Sequence, residues 1–360
     1  MIKNLPTKLS LLLLVSLSIQ ACKKSPEVIA SAGYSQVNLV ANIASFGAAK
    51  IDSNLVNAWG LAFGSTGALW SANNGTGTST VYDKGGNTLL TAVNIPSPDP
   101  KAAGAPTGVV FNTTTDFKVS NIAAKFIFVN EDGVISAWIP GAKAAVIVAD
   151  RSSLKAIYKG VSIATVGVNS FIYACNFYTG SVDVFDGMFN YVTVNQLKDP
   201  TIPAGFSPFN IQNIGNMLYV MYAKQVSPEN HDDQPGLGNG YISIFKPDGT
   251  FVKRFASNGT LNSPWGIAQA PAGFGQGANA ILVGNFGDGK ISVFDANGVY
   301  KSQLNTLALL PTAATVISID GLWGLAFQNS NGTGGDPTQL FFTAGPNGTA
   351  NGLLGYLKKK

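Results

Sequence analysis

The residues of this chain best suited to chemistry lie close together near its middle. His231, the only histidine of the sequence, is followed directly by Asp232 and Asp233, and Lys224 precedes it by seven residues. A histidine beside carboxylates can act as a general base or as a metal ligand. A multi-histidine zinc site is excluded, because it needs a second histidine. We therefore predict His231, Asp232 and Asp233 as candidate catalytic residues and Lys224 and His231 as ligand contacts. The alternative is a solvated polar loop.

A second set of polar residues returns at a fixed spacing. Asn73, Asn176 and Asn285 are each followed four residues later by Gly and six residues after that by Asp, and Asn130 begins a similar turn that is one residue shorter. Asn carbonyl oxygens are suitable ligands for a hard cation such as Ca²⁺. We therefore predict these four residues as ligand-binding and metal-binding candidates. The alternative is that they close turns, because Asn bonds to nearby backbone and tolerates left-handed geometry.

The same spacing indicates which elements must position these residues. The chain contains six units with a period of about 50 residues, in which short β-branched or aromatic runs alternate with Gly, Asn, Asp and Pro. In every unit a Gly precedes an aromatic residue or Leu by five positions; these are Gly77, Gly133, Gly180, Gly240, Gly289 and Gly352. This period and composition are typical of propeller blades. We predict an all-β fold, a six-bladed β-propeller with four antiparallel strands per blade.

The two ends of the propeller must also meet. The last unit ends after its third strand, whereas residues from about 35 to 40 alternate like a strand and belong to no unit. We predict that this N-terminal strand joins the last blade and closes the ring, which removes exposed sheet edges. The loops after the second strand of each blade open on one face, around the central channel. The four Asn residues and the segment around His231 are therefore expected on the same face.

Several motifs carry a resemblance to a known family. They are NAWGLAF at residues 57–63, NGTGTST at 74–80, EDGVISAW at 131–138, and YAKQ at 222–225 together with HDD at 231–233. With these motifs the chain resembles uncharacterised, exported bacterial lipoproteins that form six-bladed propellers. It is more distantly similar to NHL-repeat and gluconolactonase-type propellers. The resemblance covers essentially the whole mature chain and implies a fold, but it implies no known reaction.

The N-terminus has the pattern of an export signal. Lys3 and Lys8 precede an apolar run at residues 9–19, and the sequence LSIQAC at 17–22 resembles a bacterial lipobox. This resemblance implies cleavage before Cys22 and lipidation of Cys22; the alternative is an ordinary secretory signal. We predict a signal peptide at 1–21, a lipidated tether at 22–33, the propeller at 34–357 and a basic tail at 358–360. The predicted location is the cell envelope, anchored by lipid to the periplasmic or cell-surface face of a bacterial membrane.

The charge distribution bears on the partner. Seven of the 23 basic residues lie in the signal peptide, tether and tail, which leaves 16 basic residues against 19 acidic ones. Such a slightly acidic body argues against a nucleic-acid partner. We predict a lipid-anchored binding or scaffold module that takes a small-molecule, glycan or protein ligand at the channel mouth. The alternative is a Ca²⁺-dependent hydrolase or lactonase-like enzyme with its site on the same face.

Overall fold

The strands of this protein form six sheets arranged as blades. The computed structural model describes Met1 and residues 33–277, 279–306, 314–328 and 336–360. Cys22 and the other residues from 2 to 32, to which the predicted signal peptide and most of the tether belong, lie outside the described residues. Within the described ranges, no helix has the length and apolar character needed to cross a membrane.

The strand bounds follow the repeat units in chain order. Before the first blade come β1 (Gly33–Ala41) and β2 (Lys50–Ile51). Blade 1 contains β3 (Ala58–Phe63), β4 (Leu69–Asn73), β5 (Thr78–Tyr82) and β6 (Thr88–Asn94). Blade 2 contains β7 (Pro106–Phe111), an inserted hairpin of β8 (Lys118–Val119) and β9 (Ile122–Ala123), then β10 (Phe126–Asn130), β11 (Val134–Trp138) and β12 (Val146–Asp150).

The second half of the ring continues in the same way. Blade 3 contains β13 (Tyr158–Val166), β14 (Asn169–Asn176), β15 (Ser181–Phe185) and β16 (Tyr191–Val192). Blade 4 contains β17 (Phe206–Ile214), β18 (Met217–Lys224), β19 (Gly240–Phe245) and β20 (Phe251–Ser257). Blade 5 contains β21 (Pro264–Gln269), β22 (Ile281–Asn285), β23 (Ile291–Phe294) and β24 (Tyr300–Gln303), followed by β25 (Asn305–Thr306). Blade 6 contains β26 (Leu322–Phe327), β27 (Leu340–Ala344) and β28 (Leu353–Lys359). Short 3-10 helices lie at Ala44–Phe46, Asn74–Thr76 and Ser152–Leu154.

The closing strand lies where the sequence predicts it. β1 pairs antiparallel with β28, with Gln36 opposite Leu357 and Val37 opposite Tyr356. Blade 6 therefore has four antiparallel strands, and β2 and β25 each add a short parallel pairing to β1. The predicted six-bladed propeller with an N-terminal closing strand is confirmed.

The position of a strand in its blade determines its sequence pattern. The second strands β4, β10, β22 and β27 are buried along their whole length, whereas the outer strands β6 and β12 are largely exposed. Neighbouring blades cover both faces of an inner strand, so these strands read as continuous apolar runs rather than as alternating ones. The core of the protein accordingly lies between blades.

The repeated Asn–Gly spacing is explained by the turn between the second and third strands. The backbone N–H of Gly77 donates to the carbonyl of Asn73 at 3.1 Å, and the N–H of Gly180 donates to the carbonyl of Asn176 at the same distance. Gly77 has a φ of 65°, in the left-handed region that glycine adopts without a steric penalty. The Asp at the end of the spacing belongs to the next turn, where Asp83 Oδ1 accepts the N–H of Gly85 at 2.8 Å.

The innermost strands nearly fill the central channel. Residues from all six of them line a void of only ≈ 20 Å³, which is room for about one water molecule. Glycine allows this close approach, because a Cβ at Gly60 would lie 2.7 Å from the carbonyl oxygen of Thr107 and a Cβ at Gly266 would lie 2.5 Å from that of Trp323. The space between the innermost strands is therefore too small for an organic ligand.

Candidate ligand site at the channel mouth

The blade-four insertion forms a small hairpin that crosses the channel face. It begins where β18 ends at Lys224, and Gln225 bridges to Asp233 in antiparallel fashion. The backbone N–H of Val226 donates to the carbonyl of Asp232 at 2.9 Å. This hairpin, residues 225–233, brings His231 of blade 4 to Glu131 of blade 2, across the intervening blade 3.

His231 lies between two carboxylates at the tip of this hairpin. Its Nδ1 is 2.7 Å from Asp232 Oδ1, and its Nε2 is 4.0 Å from Glu131 Oε1. The His231 side chain is 48 % exposed, so one edge of the ring faces solvent. A carboxylate on one ring nitrogen orients the imidazole and leaves the other nitrogen available for a ligand or a proton.

Beneath His231 lies a buried ion pair between blades 2 and 3. The Lys159 ammonium donates a hydrogen bond to Glu131 Oε1, and the two side chains are only 2 % and 13 % exposed. The second oxygen, Glu131 Oε2, accepts the side-chain N–H of Asn74 at 2.8 Å. Burial acts to raise the pKa of Glu131, but the Lys159 charge and these hydrogen bonds outweigh it and lower the pKa. Glu131 is therefore a fixed, ionised carboxylate in the floor of the site.

Aromatic rings surround the Lys159 ammonium. Its Nζ lies 5.1 Å from the ring centroid of Trp59 and 5.8 Å from that of Phe177. The Trp59 ring stacks on Trp323 at 3.5 Å, and Trp265 packs edge-on against Trp59 at 6.1 Å. These rings pack in one buried cluster, and cation–π attraction stabilises the buried ammonium.

Two further acidic residues near the ion pair are partly buried. Burial raises the pKa of Asp233, although the Ser263 hydroxyl and the Lys159 charge oppose that rise. Burial likewise raises the pKa of Asp132, against a hydrogen bond of 2.9 Å from the backbone N–H of Ala105. Both carboxyl groups therefore accept a proton more readily than an exposed carboxyl group does. Catalytic acids and bases share this property with buried carboxylates that have only a structural role.

An open cleft lies over the Glu131 end of the ion pair. Its volume is ≈ 710 Å³. Polar residues from three blades line it, namely Glu131, Asp132, Ser152, Lys155, Tyr178, Glu229 and His231, with apolar contacts from Ala156, Ile157 and Pro228. Of the sequence-predicted site residues, His231 lines the cleft, Asp232 contacts His231, and Asp233 lies at the base of the hairpin near Lys159. Lys224 lies where the hairpin leaves β18, and its carbonyl accepts the N–H of Gln234 at 2.7 Å.

The predicted Asn residues are buried at the ends of their strands and lie outside the lining of this cleft. The side-chain N–H groups of Asn73 donate to the hydroxyls of Thr78 and Thr80 at 3.2 and 3.0 Å. Asn285 donates to the carbonyl of Thr260 at 2.7 Å. Each of these carboxamides therefore binds groups in or beside its own blade.

The other two Asn residues show the same behaviour. Asn176 donates to Asp183 Oδ2 at 3.1 Å and accepts the backbone N–H of Ile157 at 3.3 Å, and Asn130 donates to the carbonyl of Pro96 at 2.9 Å. Pro96 and Ile157 belong to the segments that enter blades 2 and 3, so these amides tie a blade to its incoming loop. Such bonds fit the turn-closing alternative, while the assignment of the four residues as ligand or metal residues stays a prediction. In the described ranges, no group of three or more His, Cys, Asp or Glu side chains is arranged to hold a metal ion.

Lys159 is the functional candidate that sequence reasoning missed. Trp59, Trp265 and Trp323 each stand directly before a glycine in the first strand of their blade, and Lys159 stands directly before Gly160 in the first strand of blade 3. Three of the six blades have tryptophan at this position, and Thr107 and Phe209 occupy it in blades 2 and 4. Lys159 is thus the one charged residue among the six, and it places an ammonium beside the aromatic rings. This departure from the repeat is the signal that identifies it.

The chain has relatives in sequence, although no protein-family model matches it. The uncharacterized protein R648 of Acanthamoeba polyphaga mimivirus is 36% identical over 324 residues, which cover 87% of this chain and 77% of that protein. The uncharacterized protein L690 of the same virus is 35% identical over 327 residues, which cover 87% of this chain and 82% of that protein. Because these relatives are viral, they do not support the bacterial origin that the sequence resemblance implied.

Solved structures share the fold at low sequence identity. Virginiamycin B lyase from Staphylococcus aureus matches with a TM-score of 0.54 and 11% identity, over 91% of this chain and 99% of that chain. A gluconolactonase from Xanthomonas campestris matches with a TM-score of 0.51 and 13% identity, over 85% of this chain and 87% of that chain. The distant similarity to gluconolactonase-type propellers is thus confirmed for the fold alone, and the similarity to NHL repeats stays a prediction.

Proposed function

We propose that this chain, which belongs to the family of the mimivirus uncharacterized proteins R648 and L690, is a binding propeller with its ligand site in the channel-mouth cleft. The observation that carries this proposal is the ionised Glu131 held in the floor of the cleft by Lys159 and Asn74. A carboxylate fixed in this way presents an oriented acceptor, and ligand sites typically combine a concave surface with a few convergent polar groups.

The hairpin supports the same proposal. His231 and Glu229 line the cleft from blade 4, while Glu131 and Tyr178 line it from blades 2 and 3. A ligand in the cleft would thus contact groups from three blades. A site built from three blades can select its ligand more strictly than a site built from a single loop. Pairing of His231 with Asp232 fixes the ring before a ligand arrives, and such preorganisation lowers the entropic cost of binding.

A thermal-shift screen of the full chain tests the proposal, with neutral sugars, organic amines and organic acids as probes. A probe that binds the folded form raises the melting temperature. At a concentration 100-fold above its Kd, such a probe adds about 2.7 kcal/mol to the free energy of unfolding. For each hit, His231→Ala and Glu131→Gln should weaken binding about tenfold, while the exposed Lys84→Met serves as the matched control. Hits that bind both site variants as tightly as wild type would place the ligand elsewhere.

A second function is favoured by the imidazole–carboxylate pair. His231 Nδ1 lies 2.7 Å from Asp232 Oδ1, an arrangement in which Nε2 can take a proton from water or substrate. We propose a hydrolase or lactonase-like activity as the alternative, with Ca²⁺ as the ion that the sequence predicts. Turnover of lactone and ester probes should then disappear in His231→Ala. Equal melting temperatures in EDTA and in millimolar Ca²⁺ would remove the ion from this alternative.

The location of the protein is proposed from its sequence. Cys22 follows an apolar segment in a lipobox-like context, and several acyl chains at about 0.8 kcal/mol per buried methylene make a stable anchor. We propose that Cys22 tethers the propeller to a membrane at the cell envelope. Expression with an alkyne-labelled fatty acid should label the wild type and leave Cys22→Ala unlabelled. A wild-type protein that fractionates as soluble and carries no label would refute the tether.

A further inference from the structure

We infer that the cleft at the channel mouth takes a neutral, hydroxyl-rich ligand, that is, a carbohydrate. This inference rests on the proposed binding function and names its ligand class. It follows from the charge balance of the cleft, the mixture of donors and acceptors on its walls, and the apolar surface beside them.

The charges around the cleft argue against anionic ligands and against any ligand that must pair with Glu131 or Lys159. The carboxylates of Glu131, Asp132 and Glu229 line the cleft, and the ammonium groups of Lys155 and Lys159 lie in its wall and beneath its floor. Asp232 lies beside His231 and Asp233 lies near Lys159, so these seven groups carry a formal charge of −3 with His231 neutral. Glu131 and Lys159 already neutralise each other, so neither is free to pair with a charged ligand without leaving the other buried and unpaired, which is costly. A neutral ligand leaves this pair intact.

The walls offer acceptors and donors side by side. Carboxylate oxygens accept hydrogen bonds only, the Lys155 ammonium donates only, and the hydroxyls of Ser152 and Tyr178 do both. Sugar hydroxyls also donate and accept, so adjacent hydroxyls can satisfy a carboxylate and an ammonium at once. An apolar ligand would leave these groups desolvated and unpaired, at a cost of about 1–3 kcal/mol for each group.

Apolar surface lies next to these polar groups. Tyr178, Ile157 and Pro228 line the same cleft. The face of a pyranose ring carries C–H groups, which pack on an aromatic or proline surface while the hydroxyls at the ring edge point toward polar partners. This division into an apolar face and a polar edge matches the cleft, since tyrosine itself combines an apolar ring with a polar tip.

The test is direct binding of the full chain to a printed array of neutral glycans, amino-glycans and acidic glycans, followed by calorimetry with the free sugar that binds best. We expect a neutral glycan to bind, with an affinity that changes less than about twofold between 0.1 M and 0.5 M NaCl because no net charge is screened. Tyr178→Ala and the exposed-rim variant Glu229→Gln should each weaken binding about tenfold. Tyr178→Phe should lose less than Tyr178→Ala, and Tyr300→Ala, on an outer strand, serves as the matched control.

Each outcome decides a different point. Binding of amino-glycans, spermidine or acidic glycans with no neutral glycan bound would overturn the carbohydrate inference and leave the proposed binding function standing. Binding of a neutral glycan that is unchanged in Tyr178→Ala and Glu229→Gln would remove the cleft as its site. If no probe of any class binds either on the array or in the thermal-shift screen, the binding function falls together with the inference.

Discussion

Removing the Lys159 ammonium while keeping Glu131 is the most informative perturbation of this protein. Lys159→Met preserves the length of the side chain but leaves the Glu131 carboxylate buried without its counter-ion. Breaking a buried ion pair in this way typically costs about 3–5 kcal/mol. Because Glu131 keeps the hydrogen bond from Asn74 at 2.8 Å and faces His231 at 4.0 Å, we expect the lower end, about 3 kcal/mol.

The double variant separates the charge from the packing. Lys159→Met combined with Glu131→Gln has no buried charge at this position and retains an acceptor for Asn74. We expect it to recover most of the lost stability and to lie within about 1 kcal/mol of the wild type, the worth of one hydrogen bond. The assay is urea unfolding followed by tryptophan fluorescence, with the exposed Lys84→Met as the control for loss of a lysine.

The pH dependence gives an independent check. In the wild type the pKa of Glu131 is lowered, so its ionised form contributes stability above about pH 4.3 that is lost as the pH falls through the lowered pKa. In Lys159→Met, burial without the counter-ion should raise that pKa, so the penalty is present at neutral pH and shrinks as the pH approaches about 4. A Lys159→Met protein as stable as wild type at neutral pH, or a double variant no better than the single one, would refute this reasoning.

Three other predictions follow from buried contacts and from the closing strand. Gly160→Ala would place a Cβ 2.0 Å from Asn210 Oδ1 and 2.7 Å from Asn210 Cα, so urea unfolding should show a loss of about 1–3 kcal/mol. Burial acts to raise the pKa of Asp199, but hydroxyl donors and the Arg254 guanidinium outweigh it and lower the pKa. Asp199→Asn should therefore be less stable than wild type at neutral pH, and the difference should shrink below about pH 3.9 in a pH series of unfolding curves. Deleting β1, Gly33–Ala41, exposes the edge of β28, so light scattering should detect aggregation that the full chain does not show.

The repeat made most of the fold predictable. Strand positions depend on the β-strand preference of the residues and on their burial between blades, and each unit shows both as a run of β-branched and aromatic residues. Each such run ends at a turn, and turns such as that of Gly77 use a glycine with left-handed geometry. The closing strand was predictable for a different reason, because the last unit lacked a strand and a ring cannot leave an edge open.

The candidate site was predictable only in part. The segment with His231 stood out because it holds the only histidine of the sequence beside two carboxylates, and in the structure it forms a hairpin that reaches Glu131 of blade 2. The Asn residues stood out because they recur at a fixed spacing, and their amides bind nearby strands and loops, as the turn-closing alternative predicts, while their assignment as ligand or metal residues stays a prediction. Lys159 is the one charged residue at a first-strand position where three of the six blades have tryptophan, and sequence reasoning passed over this departure from the repeat.

The sequence by itself determined the number of blades, the turn chemistry and the way the ring closes, because these depend on short-range patterns repeated along the chain. Only the tertiary structure decided which side chains meet at the channel mouth. Lys159 and Glu131 are 28 residues apart and His231 lies a further 72 residues beyond Lys159, so no local pattern links them. They meet because the ring brings loops of successive blades to one axis, where burial strengthens the attraction between opposite charges.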